Sequence, residues 1–70
     1  MSDQNTVTYP QATVQLTGSD GNAFNIIGRV EHAIREDVGR DQAAAWVAEA
    51  LRSESYDALL ALCMRTLHVL

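Results

Sequence analysis

The spacing of apolar positions changes twice along this chain. Within "ATVQLT", Val14 and Leu16 alternate with Thr13, Gln15 and Thr17. Period two with β-branched side chains predicts a short strand. The polar, glycine-bearing stretch from Gly18 to Gly21 then breaks the pattern. From Asn22 the spacing becomes helical. Phe24, Ile27, Val30, Ile34 and Val38 fall along one side, and Ile26 and Ala33 widen that arc. Asn25, Arg29, His32 and Glu36 gather opposite, which predicts an amphipathic helix of about four turns. Reading "AFNII" as the second strand of a hairpin turning at Asp20-Gly21 fails where Ile26 and Ile27 stand side by side. The helical pattern instead persists to Val38.

Local chemistry sharpens these limits. Asp20 or Asn22 is placed to cap the first helix. Glu31 precedes Arg35 by four residues, the favourable order for a helix ion pair. Gly39 is expected to end the helix in a left-handed conformation. Gly28 costs about 1 kcal/mol against alanine in mid-helix, and a close backbone contact would offset that cost.

A second helix is expected over "RDQAAAWVAEALRS", capped by Asp41. Ala43, Trp46, Val47, Ala50 and Leu51 would share its inner face, the alanines letting another helix approach. A third helix is expected over "SESYDALLALCMRTL". Ser53 or Ser55 would cap it, and Asp57 in its first turn would suit the helix dipole. Leu59, Leu60, Leu62, Cys63, Met64 and Leu67 surround much of it, which makes it the most buried element. In the closing "TLHVL", Leu67 and Val69 alternate against Thr66 and His68, so a terminal strand would pair with the first. The fold class expected is α+β: a three-helix core with a small two-stranded sheet, in the order β-α-α-α-β. The alternative is an all-α three-helix bundle. Residues 1–10, polar and ending in Pro10, are expected to form a flexible arm, and residues 11–70 one small domain.

Composition narrows what such a domain can do. The chain has 70 residues, 47% hydrophobic and 20% charged, which is globular rather than disordered. A domain of this size buries about 60% of its unfolded surface, so a second subunit is a common aid to stability. Nine acidic residues face five arginines, with no lysine, for a net charge of −4. Nucleic acid and anionic membranes both call for the opposite sign. The opening "MSDQNTVTYP" has no apolar signal-peptide segment, and no apolar run approaches the ~20 residues of a spanning helix. A cytoplasmic location is therefore expected.

Candidate chemistry is sparse. Counting Asp20 as position 1 of a calcium loop puts Asn22 at 3 and Glu31 at 12. Phe24 and Asn25 then stand where a ligand and a glycine belong, so a capping turn is the better reading. His32, His68 and Cys63 match no zinc spacing. Cys63, the only cysteine, reads as a core residue inside "LLALCMRTL". No catalytic, cofactor-binding or metal residue is expected, no cofactor, and no enzymatic activity. A helix-turn-helix built from the second and third helices would offer Asp57, Arg65 and Thr66 as its polar groups, too few donors for reading bases.

Gly18, Asp20-Gly21-Asn22-Ala23-Phe24, Gly28, Tyr56-Asp57 and Leu59-Leu60 form a pattern over about two-thirds of the chain. It resembles a family of small proteins encoded on bacterial chromosomes, plasmids and phages, to which no activity is assigned. The resemblance implies a bacterial or mobile-element setting and carries over no catalytic residue. Members of that family carry lysines, which this chain lacks. The expected function is a protein-interaction module whose partner is another protein or a second copy of itself. The alternative is a nucleic-acid-linked regulator or accessory protein of a phage or plasmid.

Overall fold

The computed structural model describes residues 7–16 and 22–70. The order is β1 (Thr13–Val14), α1 (Ala23–Asp37), α2 (Arg40–Ala50), α3 (Tyr56–Thr66) and β2 (His68–Val69). This is the α+β fold expected, with three helices and a two-stranded sheet. The strands are parallel, Thr13 opposite His68 and Val14 opposite Val69. All three helices lie in the crossover between them, since a parallel pair cannot be joined by a hairpin.

The strand pattern holds beyond the short ladder. Val14 is buried and Leu16 half-buried, while Thr13 and Gln15 are exposed. Before the strand, the Ala12 amide donates to the Tyr9 carbonyl at 3.0 Å, closing a turn with Pro10 at its second position. The amides of Thr8 and Tyr9 donate to the carbonyls of Arg65 and Thr66 at 3.0 and 2.7 Å. The chain is thus tied to the end of α3 from Thr8 onward, inside the stretch expected to be a loose arm.

α1 begins as its composition requires. The Asn22 side chain accepts from the Phe24 amide at 2.8 Å, which makes Asn22 the N-cap. Asp20, the other candidate, lies outside the described residues, as does the glycine turn. Glu31 pairs with Arg35 at 3.3 Å. Ile26, Val30 and Ile34 form the fully buried stripe. The inner face is thus centred on these three rather than on Phe24, which is 75% exposed. Phe24 and Ile26 are two positions apart and point to nearly opposite sides of a helix, so only one of them can face the core.

Two glycine expectations are corrected. Gly39 is extended (φ 168°, ψ 160°), not left-handed. α1 ends instead with the amides of Val38 and Gly39 both donating to the Ile34 carbonyl. Gly39 then serves as the N-cap of α2, with no side-chain cap bond, and Asp41 lies in the first turn rather than at the cap. Among the described residues, a Cβ placed on Gly28 would meet nothing within 4 Å, so no close contact there offsets its cost.

α2 presents Ala43, Trp46 and Ala50 to the core, and α3 presents Leu59, Leu62, Cys63 and Thr66. The Ser55 hydroxyl accepts from the Ala58 amide at 3.0 Å, capping α3. Leu67 is fully buried just past the helix. Leu51 and Met64, both expected inside, are 60% and 65% exposed. Leu51 follows the last turn of α2, and Met64 stands on the outer side of α3.

Candidate functional site

The buried interior offers little for chemistry. The Cys63 thiol is fully enclosed, and burial pushes its pKa up to about 11. A thiol so placed stays protonated at neutral pH and is screened from solvent. His32 and His68 are exposed. Nδ1 of His32 lies 3.3 Å from the Arg35 guanidinium. Among the described residues no three histidine, cysteine or acidic side chains gather as a metal would require. The calcium spacing fails on geometry as well, because positions from Ala23 through Glu31 are continuous helix.

One buried polar arrangement went unread in the sequence. The Trp46 indole Nε1–H donates to the Thr66 hydroxyl at 2.9 Å, and that hydroxyl donates to the Leu62 carbonyl at 2.6 Å. It ties α2 to the end of α3. The signal was Trp46 itself, since a buried indole needs an acceptor. Its role is structural.

The surface is more informative. Phe24, Leu51 and Tyr56 rim a depression of about 230 Å³, floored in part by Ile27 and Leu59. Tyr56 also borders a second hollow of about 300 Å³ with Leu16, Leu60, Met64 and Leu70. The two run together into one apolar band. Along α3 it follows Tyr56, Leu60 and Met64, four residues apart and therefore on one stripe. Phe24, Leu51, Tyr56, Met64 and Leu70 are between 40% and 75% exposed. At on the order of 100 Å² each, they expose about 500 Å² of contiguous apolar surface, the upper end of what monomers present without a partner. Among the described residues, Glu54 is the one charged side chain lining the two hollows.

Phe24 also marks the edge of a third feature. An open groove of about 800 Å³ runs between β1 and the outer side of α1, with Phe24, Gly28, His32 and Glu36 along the helix. The sequence alone does not place this contact surface. The band was legible only as "apolar helix face", because helical spacing alone does not say which leucine or methionine looks outward.

No family model, curated protein or solved structure matches this chain significantly. No helix among the described residues is long and apolar enough to cross a membrane.

Proposed function

We propose that this chain is a protein-interaction module that acts by binding rather than by catalysis, in a bacterial cytoplasm, as a chromosomal, phage or plasmid product. The observation that carries the reading is the apolar band from Phe24 and Leu51 through Tyr56 to Met64 and Leu70. Phenylalanine, tyrosine and methionine are the side chains that protein interfaces favour over the rest of the surface. At about 25 cal/mol per Å², covering the band yields on the order of 12 kcal/mol before the cost of association. That cost is about 4–15 kcal/mol, so the contact is of transient, micromolar class. Enclosure of Cys63 supports the non-catalytic reading by taking its most nucleophilic side chain out of reach.

A nucleic-acid-linked role would need a basic face. The arginines are instead divided among α1 (Arg29 and Arg35), α2 (Arg40), the following turn (Arg52) and α3 (Arg65), with Arg35 held by Glu31. Affinity capture from a bacterial extract tests the proposal. The native chain is compared with a Leu51→Glu/Met64→Glu variant whose melting curve matches it. At least one protein should be retained by the native chain and lost by the variant. Identical retained sets would overturn the assignment.

A further inference from the structure

We propose that the groove between β1 and α1 is a self-association surface, occupied by a second copy of this chain across a two-fold axis. The inference goes beyond the band, because it uses a different face. Its first support is the sheet edge. In the parallel ladder the His68 amide donates to the Ala12 carbonyl at 3.2 Å and the Leu70 amide to the Val14 carbonyl at 2.8 Å. Alternation turns the N–H and C=O of Thr13 the other way, and they meet no partner among the described residues. Two strands alone are marginal, and an edge of this kind accepts another strand.

The second support is the floor beneath that edge. Gly28 sits exposed in mid-helix with open space where a side chain would be. It weakens α1 and meets no close neighbour among the described residues, whereas a missing side chain is what close approach by another backbone requires.

The third support selects the occupant. Leu16 and Ile26 line the same hollow, and the Arg29 guanidinium reaches the Gln15 carbonyl at 3.4 Å, so β1 and α1 run in opposite directions. Thr13, two residues back and about 7 Å along the strand, then lies over the next helical turn, near His32. A two-fold axis through Thr13 lets the two Thr13 residues exchange a pair of N–H···O=C bonds. The same axis crosses the two α1 helices near His32 and brings Arg29 of each copy toward Glu36 of the other. The groove carries its cation at one end and its carboxylates, Glu36 and Asp37, at the other. It is complementary to itself, as an isologous interface must be. The 3.4 Å bond to Gln15 is long, and Arg29 can give it up for a carboxylate. An edge pairing with one helix contact beneath it buries about 500 Å² per copy, less than the ~800 Å² of a standard interface. A weak dimer follows, with a dissociation constant on the order of 10–100 μM.

Sedimentation equilibrium of the full chain across that concentration range tests this. The native chain should shift from monomer to dimer. Gly28→Gln fills the floor and should leave a monomer throughout while melting no lower than the native chain. Thr13→Pro removes the outward donor and should do the same; should it fail to fold, Gly28→Gln decides. Arg29→Glu and Glu36→Arg should each weaken association by about tenfold, and the double exchange should restore most of it. A native chain that stays monomeric would overturn the proposal. So would a dimer that survives Gly28→Gln, or one abolished by Met64→Glu, which would place the contact on the band. Loss of partner capture in the band variant leaves this result untouched, so the two readings fail separately.

Discussion

Cys63 carries a measurable consequence of burial. Its thiol has no exposed surface, and loss of hydration raises its pKa from 9.0 to about 11. In the unfolded chain the same thiol ionises near its ordinary value. Below that value both states hold the proton and the group has no effect on stability differences with pH. Above it the unfolded state loses the proton first, so stability falls as pH rises from about 9 to about 11. The expected result is a drop in unfolding free energy across that window, of which a part is absent in Cys63→Ala. Urea denaturation of both proteins at a series of pH values checks it, and parallel curves would count against it. The residue was legible as a core cysteine because its neighbours in the run are apolar. Asn22 was legible as a cap for an equally local reason. Phe24 and Met64 were not, since an apolar side chain fits the same helical spacing whether a neighbour covers it or not.

Helices reveal their ends less readily than their middles. Ser55 and Asn22 cap as their side chains allow, but the junction between α1 and α2 uses backbone bonds to Ile34 and leaves Asp41 in the first turn of α2 rather than at its cap. A two-residue connection, Val38 and Gly39, leaves little room for both a left-handed stop and a side-chain start, and sequence patterns weigh each helix separately. The link between α2 and α3 was also hidden, because it joins Trp46 to Thr66 across twenty residues. Its weight can be measured. Thr66→Val removes the acceptor and strands the indole N–H in the core, at a cost of about 1–3 kcal/mol. Adding Trp46→Phe removes the orphaned donor, so the double variant should lose less than the two single losses together, by about 1 kcal/mol. Additive losses in chemical denaturation would show that the bond contributes little.

At the scale of the whole molecule, the order β-α-α-α-β was legible because each change of period falls where an element begins. The parallel register was not, since it depends on how three helices stack in the crossover rather than on either strand. That register makes the closing strand a keystone. Leu67, just ahead of β2, is fully enclosed, and beyond it His68 and Leu70 hold Ala12 and Val14 through their amides. Losing the Leu67 anchor therefore frees β2 and, with it, β1. A domain of this size has about 3–10 kcal/mol of total stability. Leu67→Ala should remove about 3–5 kcal/mol through lost burial and the cavity left behind, which is a large share of the whole. The variant should be partly unfolded at room temperature by circular dichroism. Leu60→Ala, at a half-buried position on the band, should cost about 1 kcal/mol and keep a cooperative melt. If Leu67→Ala melted within a few degrees of the native chain, β2 would be an appendage to a self-sufficient helical core.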